Sequence, residues 1–473
     1  MKNIFALIIL TFIGYVGNAQ IVTIPDANFK AKLLAANPNN TIASNNFANV
    51  TIDTNGNNEI EVNEALQITT LNINISGIAN LTGIEAFTNL RSLNCTQNQI
   101  SSLNLSSLTN LKSLYCNLNL LTSLDVSSLS SLTTLECAEN QLTNINFGAI
   151  TGLQNLSCRF NFLTSLEVTQ MTNLSSLNCD YNQLTSLNLK NLSLLTDLAC
   201  QSNQLTFLDL NGLNNLELVN CSFNQLPTID LSGLELLTTL NCSHNQLSVL
   251  HLEDLSNLHL LNCESNQINS TLNLNGLSNL NGLYCRNNQI SNIDFSEPIN
   301  LEIIDCGFNQ FVAIDASPLT QLSVLYCQNN SQLTNLNLKN GSSEQFLDFS
   351  ECENMTIICV DEGDLIAIQN LISEYGYANC QVSSTCDLAN VSNDTNSYFS
   401  LSPNPVKQLL QLQTNDIVAI KSINIYDILG QIVQFIPNAE GISTIDVATL
   451  KTGTYFIKVT TDKGISTVKF LKE

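Results

Sequence analysis

The sequence predicts a mainly β fold: a solenoid of about twelve to thirteen short turns, 21 residues each, with a parallel β-sheet, followed by a small C-terminal β-sandwich. Three observations predict it. Twelve cysteines (Cys95, Cys116, Cys137, Cys158, Cys179, Cys200, Cys221, Cys242, Cys263, Cys285, Cys306 and Cys327) recur every 21 residues, with a single step of 22 after Cys263. An asparagine stands three residues after each, from Asn98 to Asn330. The last 75 or so residues drop this rhythm for short alternating strands separated by turns. A strict period of this size is one supersecondary unit stacked many times, because a single turn cannot bury its own apolar face.

Residues 1–19 read as a secretory signal. Lys2 supplies the positive start, Ile4 to Val16 is mostly apolar, and Gly17-Asn18-Ala19 places small residues before Gln20. The apolar run is too short for a membrane span. No cysteine follows the cleavage point, which argues against a lipid anchor, and no second apolar segment suggests a transmembrane helix in the mature chain.

Residues 20–66 are expected to form an N-terminal cap over the first apolar turn. Ile24 to Leu34 reads as a short helix started by Pro25 and Asp26. Downstream, Asp53-Thr54-Asn55-Gly56-Asn57-Asn58-Glu59-Ile60-Glu61-Val62-Asn63-Glu64 resembles an EF-hand loop. The resemblance places Asp53, Asn55 and Asn57 at ligand positions 1, 3 and 5, the Glu59 carbonyl at 7, Glu61 at 9 and a bidentate Glu64 at 12. Asn58 stands where the pattern has glycine, and two neutral ligands replace carboxylates, so weak Ca²⁺ binding is expected, with Kd of about 10⁻⁴–10⁻³ M. The competing reading is an Asn/Gly-rich turn that meets no metal. No motif requires any other cofactor.

Residues 67–345 carry the repeats. The unit from Leu111 has the pattern LxxLxCxxNxL followed by xxLxVxxLxx. Leu114-Tyr115-Cys116 alternates in, out, in, as a strand does. Leu124-Asp125-Val126 repeats the alternation and predicts a second short strand on the opposite side of the turn. Helix there is disfavoured by length and by the Ser, Thr and Asn content. The stack is expected to start one turn before Cys95, with Ile73 and Ser76 in the cysteine and asparagine slots. The first half of the unit resembles the leucine-rich-repeat signature, with cysteine where leucine is usual. That family implies an asparagine ladder tying adjacent turns together. A buried Asn can serve backbone groups with both its carbonyl and its amide. The twelve cysteines are expected to be free, buried thiols. Neighbouring strands lie about 4.8 Å apart, whereas Cβ atoms joined by a disulfide prefer about 3.8 Å. A straight column also fails to converge on a tetrahedral metal.

Residues 346–386 read as a C-terminal cap of the solenoid. Cys352, Cys359, Cys380 and Cys386 leave the rhythm and flank a segment of helical spacing from Asp364 to Tyr375. One or two disulfides are expected here, with pairing open. Residues 387–398, rich in Asn, Ser and Asp, read as a linker. Residues 399–473 have the strand spacing of a small sandwich of about seven strands. Leu401-Ser402-Pro403-Asn404-Pro405-Val406, Ile425-Tyr426-Asp427-Ile428-Leu429-Gly430, the run from Leu450 through Gly453 and Tyr455 to Val459, and Lys469-Phe470-Leu471-Lys472 occur in an order that resembles the C-terminal sorting domain of type IX secretion cargo. The resemblance implies the type IX machinery as a partner, passage through the outer membrane, and release or display at the cell surface.

Forty acidic against 16 basic side chains give a formal charge of −24, which argues against nucleic acid and against docking on anionic lipid. No catalytic constellation is visible, and the three histidines, His244, His251 and His259, all fall inside the repeats. The outward positions of the strand face suggest binding instead. Just before the cysteines stand Tyr115, Tyr284 and Tyr326, with Glu136, Asn178 and Asp305. Two residues after them, Phe160, Tyr181, Phe223, His244 and Phe308 interrupt a polar column. Aromatics gathered on one rigid surface commonly contact a ligand. The expected function is that of a secreted or surface-displayed leucine-rich-repeat protein that binds a protein or a glycan, for example in adhesion. The alternatives are a structural surface or matrix component without a discrete ligand, and a glycan-active enzyme with paired carboxylates on neighbouring turns.

Overall fold

The computed structural model describes residues 20–385 except 270, and residues 399–473 except 415–419, 427–431, 438, 440 and 462–464. The expected signal peptide, the linker 387–398 and Cys386 lie outside the described residues. The chain forms two compact units that divide near residue 386.

In the first unit, each turn contributes a three-residue strand to one main sheet. The sheet has fifteen strands: an antiparallel edge at Ala43–Ser44, then fourteen parallel strands from Thr70–Asn72 to Phe346–Asp348. The register advances one turn per strand without slipping. Leu93 pairs with Leu114, Leu114 with Leu135 and Leu135 with Leu156. These central leucines and the cysteine that follows each point inward and are fully buried. Each buried leucine is worth about 1.5–3 kcal/mol relative to exposure, and no turn supplies enough of them to fold alone.

The stack is longer than the cysteine column indicates. Phe346–Asp348 pairs with Val324–Tyr326 as one further turn, past the expected end at residue 345. Phe349 occupies the cysteine slot there and Cys352 the asparagine slot, so the rhythm continues in backbone while the marker residues change. The Cys352 Sγ lies 3.5 Å from the Cys327 carbonyl, where an asparagine amide would otherwise donate. The Tyr377 hydroxyl completes the exchange, donating to the Phe349 carbonyl and accepting from the Cys352 N–H, both at 2.8 Å. A helix, Leu365–Glu374, precedes Tyr377. Of the cap cysteines, Cys359 is disulfide-bonded, whereas Cys352 and Cys380 carry free thiols.

The second strand of the repeat is realised only in part. On the opposite side, Ser123–Asp125 pairs with Asn144–Asn146, and Ala313–Asp315, Asn335–Leu338, Ile357–Val360 and Gln381–Ser383 form a four-stranded parallel sheet. In the turns between, pairs such as Leu187/Leu189 and Leu208/Leu210 stay buried in the same alternation without a continuous ladder. Inward alternation is enough to fill the core, and strand pairing on this side is an addition to it.

At the N-terminal end, the helix Ala27–Leu34 buries Phe29 and Leu33, one turn apart on one face. Asp26 caps it by accepting the Phe29 N–H, and its other oxygen accepts the N–H groups of Ala79 and Asn80. One carboxylate thus starts the helix and docks it on the first turn. No helix among the described residues is long and apolar enough to cross a membrane.

The second unit is antiparallel. Phe399–Ser402, Leu409–Thr414 and Thr444–Asp446 form one sheet, and Ile432–Pro437, Ile420–Tyr426, Gly453–Thr461 and Ile465–Lys472 form another. Phe399, Leu410, Ile423, Ile425, Val459 and Phe470 belong to the core between them, and the seven strands match the expected sandwich.

Candidate recognition surface

The surface geometry follows from the turn after each cysteine. The residue two positions on adopts the left-handed conformation in turn after turn: Phe160 at φ +53°, Tyr181 at +52°, Ser202 at +53°, Phe223 at +52°, His244 at +51° and Phe308 at +55°. Bulky residues rarely sit there, and the strain of roughly 1–2 kcal/mol per residue needs a compensating network. The asparagine one residue later supplies it. Asn203 Nδ2 donates to the carbonyls of Cys179, Cys200 and Gln201 at 3.0, 3.1 and 3.2 Å, and its Oδ1 accepts the Leu184 N–H at 3.0 Å. The same pattern repeats from Asn119 through Asn309. Chain reversal by the left-handed residue turns its own side chain outward.

The eight aromatic and histidine residues predicted from sequence therefore fall into two columns. Tyr115, Tyr284 and Tyr326 lie half-buried on the strands, with Tyr284 and Tyr326 flanking Asp305 in register. Phe160, Tyr181, Phe223 and Phe308 stand on the left-handed edge at 41%, 44%, 50% and 40% exposure, enough to offer ring surface to a ligand. His244 in the same column is half-buried. Neighbours stack: Phe160 on Tyr181 with centroids 4.2 Å apart and 8° between planes, Phe223 on His244 at 4.0 Å and 12°. The Arg286 guanidinium lies 4.5 Å from the Phe308 centroid and 3.8 Å from Asp305. Burial pushes the Asp305 carboxyl above its ordinary pKa, with Glu264 and Asp348 adding to the rise and the Gly307 amide and Arg286 opposing it.

Leu118, Leu120 and Phe162 extend this surface and were missed by the sequence reading; all three are exposed. The signal was present. Position four after the cysteine is glutamine in nine turns, from Gln99 to Gln310, and Leu120 and Phe162 are the departures before Cys327.

The EF-hand-like loop has an all-oxygen donor set suited to a hard cation. Asn58 is left-handed at φ +62°, as its place in the loop requires. Glu61 and Glu64 are 3% and 4% exposed, and among the described residues no Lys, Arg or His pairs with either, because Lys30 is engaged by Glu59 at 2.7 Å. Burial raises the Glu64 pKa, but hydrogen bonds from Glu61 and Thr54 outweigh it and leave the group lowered. Asp53 accepts the N–H groups of Gly56, Asn57 and Asn58, while the side-chain amides of Asn55 and Asn57 donate to Glu61 at 3.2 and 2.7 Å. Among the described residues, no three carboxylate, imidazole or thiolate groups converge as a metal site. The donor chemistry fits calcium, whereas the side chains of Asp53, Asn55, Asn57, Glu61 and Glu64 are engaged with one another and with the loop backbone, and that of Glu59 with Lys30.

On the opposite side, a cleft of about 330 Å³ lies between Ile229–Ser232 and His251–Leu255. His251 there is an exposed outward residue 3.7 Å from Glu253.

The inward leucines, in-register parallel strands and asparagine ladder define a leucine-rich-repeat solenoid. The functional domain of InlJ from Listeria monocytogenes, which includes a cysteine ladder, is similar in structure: TM-score 0.56, 25% identity, 96% of this chain and 98% of that one. A leucine-rich-repeat protein of Leptospira interrogans shares the fold at TM-score 0.51 and 20% identity, over 68% of this chain and 97% of that one. The plant peptide hormone receptor RGFR1, solved in complex with RGF2, shares it at TM-score 0.51 and 21% identity, over 64% and 57%. Residues 400–473 match the secretion system C-terminal sorting domain. The chain is thus a leucine-rich-repeat solenoid joined to a type IX sorting domain, which implies export to the cell surface or beyond. No curated protein matches the chain in sequence.

Proposed function

We propose that this protein is an exported recognition protein that binds a protein or glycan ligand through its edge of stacked rings, as an adhesin-like component released from or displayed on the cell. The observation that carries the reading is the left-handed column: large rings occupy strained positions and keep close to half their surface in water. Core packing does not call for rings there, since Ser202 and Ser265 occupy the same slot with the same backbone. The sorting domain supports export. The experiment is a protein and glycan array probed with the parent and with a combined Phe160→Ser, Tyr181→Ser, Phe223→Ser variant. Loss of array ligands with an unchanged melting profile is the expected result, and retention of every ligand removes this surface as the site.

Calcium at Asp53–Glu64 is part of the same reading, as a stabiliser of the N-terminal cap. The two buried carboxylates Glu61 and Glu64, unpaired with any cationic side chain among the described residues, support it.

A further inference from the structure

The left-handed column contains a gap. Turn by turn it runs Phe160, Tyr181, Ser202, Phe223, His244, all at φ between +51° and +53°. The five side chains therefore leave the backbone in the same direction. Tyr181 has one ring face covered by Phe160, and Phe223 has one covered by His244. Continuing the same stacking direction turns their other faces toward the turn of Ser202, whose side chain is too short to stack between them.

The width of that space follows from the repeat. One turn separates stacked rings by 4.0–4.2 Å, and backbone strands by about 4.8 Å. Two turns set the Tyr181 and Phe223 planes about 8–9.6 Å apart. A flat slab in van der Waals contact with both faces needs only about 7–8 Å. The gap thus takes a single ring between the two faces, and the polar groups beside it favour one that carries hydroxyls.

Polar groups adjoin it. Asp180 and Ser222 are buried on either side of Gln201, the residue next to Ser202. Asp180 accepts the Gln201 N–H at 2.8 Å and the Nε2–H at 3.1 Å, and the Ser222 hydroxyl, which donates to Asn220 Oδ1 at 2.8 Å, lies 3.3 Å from Gln201 Oε1. The Asp180 contact holds the carboxamide through one of its two N–H groups, leaving a donor and the carbonyl oxygen for hydroxyls. The Asp180 carboxylate disfavours an anionic occupant.

We propose that the gap over Ser202, walled by Tyr181 and Phe223, is a subsite for one neutral pyranose ring of a glycan. This rests on the reading of the ring column as the recognition surface. The test is saturation-transfer difference NMR on the full chain, with methyl β-glucopyranoside, methyl β-galactopyranoside and methyl α-mannopyranoside as probes and acetylproline amide as a peptide-like control. Ser202→Tyr fills the gap, and the fold tolerates tyrosine there because Tyr181 has the same backbone one turn earlier. Ser265→Tyr adds a ring elsewhere in the column. The expected result is saturation of at least one pyranoside by the parent and by Ser265→Tyr, lost in Ser202→Tyr while its melting temperature holds or rises. No pyranoside signal, a signal that survives Ser202→Tyr, or saturation of the proline amide alone overturns the proposal. If the subsite fails in any of these ways while the triple-serine variant still loses its array ligands, the surface reading stands without the sugar slot.

Discussion

Replacing Asn203 by alanine removes four hydrogen bonds at once, but the structure shows that they are not equivalent. The Cys179 carbonyl keeps a second donor, Asn182, and the Cys200 carbonyl keeps Asn224. Among the described residues the Leu184 N–H has no other acceptor, so it is left buried and unpaired. An orphaned buried group costs about 1–3 kcal/mol, so Asn203→Ala is expected to destabilise by about that much. The sharing also predicts a pattern. Asn182→Ala combined with Asn203→Ala strips both donors from the Cys179 carbonyl. That adds a penalty of about 1 kcal/mol beyond additivity. Asn203→Ala with Asn245→Ala shares no acceptor, since Asn245 serves Cys221, Cys242 and Ser243, and should be additive. Urea denaturation followed by circular dichroism measures the coupling, and hydrogen exchange at Leu184 reports the local loss. Equal coupling in the two pairs, or an unchanged midpoint for Asn203→Ala, would refute the shared-acceptor ladder.

Four further outcomes follow from the same geometry. Burial raises the thiols of Cys95, Cys158, Cys221 and Cys263 to about 12, against about 8.5 in an unfolded chain. The folded state therefore holds protons that the unfolded state releases, and stability should be full below about pH 8.5 and fall as pH rises toward 12; a melting temperature constant to pH 11 would contradict this. Thiol titration at pH 8 should find the repeat cysteines unreactive in the native protein and count fourteen thiols after denaturation from the described residues, whereas a count near two would mean the column is cross-linked. Millimolar Ca²⁺ should raise the melting temperature of the parent relative to EDTA and leave Glu64→Gln unmoved, so calorimetry without a calcium heat would remove the metal from the cap. Burial raises the Asp26 pKa, but hydrogen bonds from Phe29, Ala79 and Asn80 overcome it and leave the group lowered. Its contribution is thus present above the unfolded value of about 3.9 and lost as pH falls through the lower folded one, and Asp26→Asn should be less stable than the parent at pH 7 but not at pH 2.

Sequence alone determined the columns. Because the period is almost invariant, each position in the unit has one environment, and Leu114, Cys116 and Asn119 could be assigned to core, core and ladder without coordinates. The free state of the repeat thiols was legible for the same reason, and so was the ring edge, since Phe160 and Phe223 break a polar column. Only the tertiary structure decided what the period cannot encode. The left-handed backbone that turns those rings outward is set by hydrogen bonds reaching 19 and 24 residues away. The stacking of Phe160 on Tyr181, and the gap left at Ser202, depend on which side chains meet across turns. The final turn kept its strand after losing its cysteine, because Phe349 takes the same inward slot and Tyr377, contributed from beyond the helix, donates to the Phe349 carbonyl that an asparagine would have bonded. A periodic sequence specifies positions along a column, and contact between successive turns fixes the shape of the surface they present.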